Sequence, residues 1–219
     1  MQGPKTGAGV ADVNHLSPIS AADVERYVDQ RTVLHGIGWD DFQARVAARG
    51  GCAGPRLACL DGELELTSPS EAHEGLKTTP RRMLEAWADL AGVEVEGRGS
   101  WTLLTTPGKK AGIEPDECYF VGERGRQKVP DLALEVVWPH GLLDELELYR
   151  RLGVGEVCLW EKGESRVLVL GRRGHEPRPK SAVLPRIDLH LLRRCLKEPT
   201  RTKALKRLRA ALGTRRLNA

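Results

Sequence analysis

The chain has 219 residues, 40% of them hydrophobic and 29% charged, with a net charge of +4. This composition suits one globular domain and excludes a disordered or low-complexity chain. No apolar run is long enough to span a membrane, and the opening MQGPKTGAGVADVNHL has no signal-peptide core, so a cytoplasmic protein without membrane attachment is expected.

Residues 1–17, rich in Gly and small polar side chains, are expected to be disordered. SPISAADVERYV, with Ser20 as N-cap and Asp23 three residues on, predicts a short helix. A second is predicted over WDDFQARVAARGG, where Trp39, Phe42 and Val46 recur at helical spacing and Gly50-Gly51 ends the run. PRLACLDGELELTSPS alternates apolar and polar residues across Asp61-Gly62, a hairpin signal. SEAHEGLKTTPRRMLEAWADLAG reads as a long helix that Pro80 should kink or interrupt. VEVEGRGSWTLLTT, AGIEPDECYFVGE and VPDLALEVVWP supply three strands. After the helix GLLDELELYRRLG, GEVCLWEKG and SRVLVLGRRG form a closing pair. This order predicts an α/β (α+β) domain over residues 18–195, built on one mixed sheet. Residues 196–219 form a basic, helical tail. Between Arg193 and Ala219, ten Lys or Arg oppose a single Glu, a balance of +9 that leaves −5 for the rest. Such a tail either lies along phosphates or is simply a solvated helix.

The five cysteines (Cys52, Cys59, Cys118, Cys158 and Cys195) are odd in number and form no CxxC pair, so reduced, mostly buried thiols are expected rather than disulfides or a zinc site. Trp87, Trp138 and Trp160 read as core or interface anchors. Ser, Cys and His form no nucleophile signature.

Acids inside apolar strands carry the functional signal. Along VPDLALEVV, Asp131, Ala133 and Glu135 share one face while Leu132, Leu134 and Val136 share the other. A buried carboxylate such as Glu135 is costly unless a cation or strong donors receive it. Asp116, after Pro115 in another apolar strand, raises the same question. Two such acids on adjacent strands could share Mg²⁺ or Mn²⁺, with Glu63 or Glu65 of the hairpin as a third oxygen donor. The alternative is a set of rim carboxylates held by arginines.

PRLACLDGELELTSPS, HEGLK, EPDECYFV, PDLALEVVWP and LYRRLGVGEVCLWE, followed by a last strand of Arg and Val residues, resemble in order the Uma family of "putative restriction endonucleases", within the PD-(D/E)XK nuclease superfamily. The likeness covers roughly residues 36–195. It implies a restriction-endonuclease-like mixed central sheet flanked by helices, with Asp116 as the motif aspartate, Glu135 as the acid of the next strand, and Glu63 or Glu65 as the additional acid. It further implies a Mg²⁺-dependent endonuclease, a DNA substrate, and an arrangement compatible with a homodimer.

One departure stands out. The family carries a lysine four residues before the tyrosine of YRRLGV, and here that position is Glu145. Leu142, Leu143, Leu146, Leu148, Tyr149 and Leu152 form an apolar arc that includes Glu145, so this acid should face the sheet. Lys77, Arg150, Lys109 and Lys110 are candidates to replace the missing cation, Lys77 foremost. His73 either bonds the phosphate or its water, or starts its helix by bonding backbone. His140 is placed to line the same cleft. If Glu145 abolishes catalysis, the alternative is a nuclease-fold protein that binds nucleic acid or a protein partner.

Overall fold

The computed structural model describes residues 28–52, 54–105, 109–122, 128–136, 143–161 and 164–216. The helix predicted over SPISAADVERYV, like Trp138, His140 and Leu142, lies outside these residues, apart from the helix's last position, Val28.

The first sheet begins with β1 (Gln30–His35), a short edge strand that the sequence pattern does not announce. Helix α1 (Trp39–Arg49) follows, then the hairpin β2 (Arg56–Leu60) and β3 (Glu63–Ser68). Its turn puts Asp61 at φ 50° and Gly62 at φ 90°, the left-handed pair that matches the twist of adjoining strands. The long helix α2 (Glu71–Ala91) starts at Ser70, whose side chain accepts the His73 amide. It runs unbroken through Pro80, contrary to the expected interruption. Pro80 is buried against the core, and that packing outweighs one missing helical hydrogen bond.

Two segments expected as single strands are each divided between sheets. VEVEGRGSWTLLTT gives β4 (Val95–Arg98) and β5 (Leu103–Leu104), separated by Gly99, Ser100, Trp101 and Thr102. AGIEPDECYFVGE gives β6 (Ala111–Ile113) and β7 (Glu117–Val121), because Pro115 has no amide to continue a ladder. Next come β8 (Leu132–Val136), α3 (Glu145–Leu152), β9 (Glu156–Glu161), β10 (Glu164–Gly171) and β11 (Gly174–Arg178). Helices α4 (Leu189–Leu196) and α5 (Arg201–Arg216) complete the described chain.

The single sheet expected is therefore two. One has the order β1-β3-β2-β6-β5 and is antiparallel throughout. The other, β11-β10-β9-β8-β7-β4, is the mixed sheet: β8 and β9 run parallel, with α3 between them in sequence. The class remains α+β, with a mixed sheet flanked by helices.

Alternation along the strands sorts three cores. Leu132 and Leu134 of β8 pack with Met83, Trp87, Leu191 and Leu208 of α2, α4 and α5. Ala133 and Val157 point the other way, toward Tyr149 of α3 and Leu60 and Ile113 of the first sheet. Phe42 of α1 packs with Leu57, Cys59 and Leu64 on the first sheet's outer face. A Cβ on Gly112 would stand 2.6 Å from the Phe42 ring, so only glycine admits that approach.

The basic tail is helical and more than a solvated run. Ala204, Leu205 and Leu208 of α5 are buried in the first of these cores, while Arg201, Lys203, Lys206 and Arg209 are exposed. Leu208→Ala is expected to lower the unfolding free energy by about 2–5 kcal/mol in a urea titration. A loss within the noise of that titration would mean that α5 does not belong to the core.

Candidate active site

The chain passes from the first sheet to the second through Glu114, Pro115 and Asp116. The β7/β8 register pairs Glu117 with Leu134 and Cys118 with Ala133, which sets Asp116 opposite Glu135 at the C-terminal end of β8. Two hydrogen bonds tie them together: the Asp116 amide donates to Glu135 Oε2 (3.3 Å) and the Val136 amide to Asp116 Oδ2 (2.8 Å). Both acids lie on the face of the mixed sheet that looks toward the first sheet. On the first sheet, β1-β3-β2 pairing sets Arg31, Thr67 and Arg56 in one row. Arg31, Arg56, Glu65, Glu135 and Glu145 line one pocket.

Asp116, Glu135 and Glu65 are each held by specific donors. Asp116 has no exposed side-chain surface and receives Arg56 Nη1 and His73 Nε2, the latter 3.0 and 3.1 Å from its two oxygens. The other ring nitrogen of His73 lies 2.7 Å from Asp29 Oδ2. The Tyr149 hydroxyl donates to Glu135. Arg31 donates to Glu65 at 2.6 Å, Thr67 Oγ1 to the same oxygen at 2.9 Å, and the Leu143 amide to the other oxygen at 3.3 Å.

This crowding separates the protonation states. Burial opposes charge on Asp116, yet the His73 hydrogen bond and the nearby Arg56 charge hold its carboxyl well below the usual range. Burial, together with the charges of Asp116 and Glu145, pushes Glu135 far up despite Arg56 and Tyr149. Burial also raises Glu145, with Asp116 and Glu65 adding to the shift and Arg31 and Arg56 opposing it. For His73, burial disfavours the cation, but hydrogen bonds to Asp116 and Asp29 prevail and lift it to about 9.

The structure brings together Asp116, Glu135, Glu65 and Glu145 from the sequence-derived set. It does not bring in Glu63, which is half-exposed near the hairpin turn and lies 3.1 Å from His35. Lys77 is likewise elsewhere. It donates to Glu74 on its own helix, and its charge acts on Glu117, one residue along β7 and on the opposite face from Asp116. Arg150 is paired with Glu147 and exposed, Lys109 donates to the Arg151 carbonyl, and Lys110 is exposed. The cations facing the acids are Arg56 and Arg31, which the sequence reading misses. Their signal was strand alternation: Arg56 shares a face with Ala58 and Leu60, away from Leu57 and Cys59. His73 stands at its helix start with its amide capped by Ser70, while its ring bonds Asp116 and Asp29, a role that neither sequence-based reading gives it.

Carboxylate oxygens of this kind fit a hard divalent cation such as Mg²⁺. As arranged, however, Arg56 stands on Asp116 and Tyr149 on Glu135. Among the described residues no group of three or more His, Cys, Asp or Glu is placed to hold an ion. The donor types fit, but the geometry is closed by guanidinium and phenol groups.

Residues 39–198 match the Uma2 family, described as "Putative restriction endonuclease". That span is well over half of the chain, which therefore belongs to this family. A crystal structure described as "a putative nuclease belonging to DUF820 from Anabaena variabilis ATCC 29413" resembles the chain with a TM-score of 0.48 and 12% identity, covering 78% of this chain and 99% of that one. A comparison with curated proteins finds no match. Among the described residues no helix is long and apolar enough to cross a membrane.

The His73 linkage has a definite sign. Its pKa rises from 6.5 to about 9 on folding, so its stabilising contribution is complete below pH 6.5 and disappears as pH climbs through about 9. The contribution is on the order of 3 kcal/mol. NMR titration of the ring is expected to place its midpoint near 9, and Asp29→Asn to lower it; a midpoint at or below 6.5 would contradict the His73 geometry.

Proposed function

We propose that the chain is a divalent-metal-dependent nuclease that hydrolyses phosphodiester bonds, with DNA as the substrate, in the cleft between its two sheets. The observation that carries this reading is the pairing of Asp116 with Glu135 across adjacent strands, beside a pocket lined by Glu135, Glu65 and Glu145. Family membership supports the reaction type.

In this reading Asp116, Glu135 and Glu65 would hold Mg²⁺ or Mn²⁺, and Glu145 is a further carboxylate beside them. Such an ion supplies an activated water and stabilises charge on the phosphate. His73 orients Asp116, and Asp29 fixes the ring of His73 in turn. Tyr149 orients Glu135 by donating to one carboxylate oxygen. Arg31 and Arg56 provide the positive charge in the cleft, and a guanidinium matches a phosphate's paired oxygens.

A second reading is a nuclease-fold protein that binds nucleic acid or a protein partner without cutting. It is favoured by Glu145 at the family's lysine position and by the match between the cleft's acids and Arg31, Arg56 and His73.

A plasmid-nicking assay with Mg²⁺ or Mn²⁺ separates the two. Cleavage by the wild-type chain is expected to fall about a hundredfold or more in Glu135→Ala and in Asp116→Asn. Undiminished nicking in either variant refutes the site. Duplex binding without cleavage in the wild type selects the second reading.

A further inference from the structure

We propose that the outward face of α5 is a second nucleic-acid contact: Arg201, Lys203, Lys206 and Arg209 form a phosphate-binding stripe on the side of the mixed sheet away from the cleft. The inference rests on the nucleic-acid partner of the proposed function but not on the chemistry of the cleft.

The sequence places these cations where helix stability alone would not. The first turn of α5 holds Arg201 and Lys203 and no acid, although the positive end of a helix dipole favours acids there. Lys203 and Lys206 stand three residues apart, as do Lys206 and Arg209, a spacing at which like charges repel. From Pro199 to Ala219 the chain has no Asp or Glu to relieve them. Several exposed arginines elsewhere are matched by an acid: Arg150 by Glu147, Arg166 by Glu161 and Arg178 by Glu176. Among the described residues of α5, Arg207 alone has an acid partner, Glu198, and the exposed Arg201, Lys203, Lys206 and Arg209 have none.

The opposite face of α5 is taken up by packing. Ala204, Leu205 and Leu208 enter the core that holds Leu132 and Leu134 of β8 with α2 and α4. Ala133 and Glu135 alternate to the other face, so the cleft and α5 lie on opposite sides of the mixed sheet. This anchorage fixes the stripe on a packed element, and it removes the apolar face that an interfacial helix needs to enter a lipid surface. What remains is a row of charge. From Lys203 to Arg209 the row spans about 9 Å, at about 1.5 Å per residue. Nucleic acid presents about one phosphate per 3.4 Å along each strand, so the row meets about three of them and releases their counterions.

The test is fluorescence anisotropy of a labelled DNA duplex titrated with the full chain, without divalent cations, across a series of salt concentrations. The wild type is compared with Lys203→Gln/Lys206→Gln/Arg209→Gln, whose positions are all exposed and outside the core. A control, Arg172→Gln/Arg173→Gln/Lys180→Gln, removes the same charge from exposed positions around β11. Loss of three phosphate contacts is expected to reduce the slope of log affinity against log salt by about 2–3, with little change in the control. Equal slopes in the wild type and the α5 variant overturn the stripe. Equal flattening in both variants also overturns it, because net charge alone would then explain the effect. Unchanged duplex binding in the α5 variant, with loss of binding to phosphatidylserine vesicles, overturns it in favour of a lipid surface. A wild type that binds no duplex even at low salt overturns the nucleic-acid partner itself. None of these outcomes depends on cutting, which the nicking assay reads separately.

Discussion

The burial of Asp116 at the crossing between two sheets is the constraint on which the rest of the site depends. A carboxylate with no exposed side-chain surface must be compensated. His73 comes from the start of α2, Arg56 from β2, and the Val136 amide from the end of β8. Each element is placed by its own apolar face, so three packing decisions converge on one carboxylate. Asp29 extends the chain of contacts by binding the far side of the His73 ring and the Ser70 amide at the start of α2.

The split between sheets makes this convergence possible. Pro115 ends one ladder and the next begins at Glu117, leaving Asp116 to turn inward at the junction. The first sheet then contributes Arg31, Arg56 and Glu65 from three neighbouring strands, and the mixed sheet contributes Glu135. Helix α3 closes the cleft with Glu145 and Tyr149. Arg151 fastens that helix to the hairpin tip through two 2.6 Å contacts with Asp61. The cleft is thus rich in acids, with the guanidinium groups that face them on strands β1 and β2.

Much of this arrangement is written in local sequence patterns. Alternation in VPDLALEVV correctly separates Glu135 from Leu134, and the apolar arc of α3 turns Glu145 inward. Asp61-Gly62 specifies the hairpin turn. Other features depend on distances in sequence that local patterns do not encode. Arg56 and Asp116 are 60 residues apart, and nothing near either one announces the pair. Lys77 is a candidate by its charge and its place on the HEGLK segment, but its own helix offers Glu74 and the neighbouring strand face offers Glu117. Pro80 illustrates the same limit in the fold, since a local rule against proline yields to burial against the sheet.

The proposed nuclease activity requires Asp116, Glu135 and Glu65 to receive a divalent cation. Anomalous scattering from Mn²⁺ in crystals grown with a DNA duplex addresses it most directly. A peak coordinated by Asp116 and Glu135 is the expected result. Mn²⁺ found only elsewhere, beside a bound duplex, would contradict the proposal.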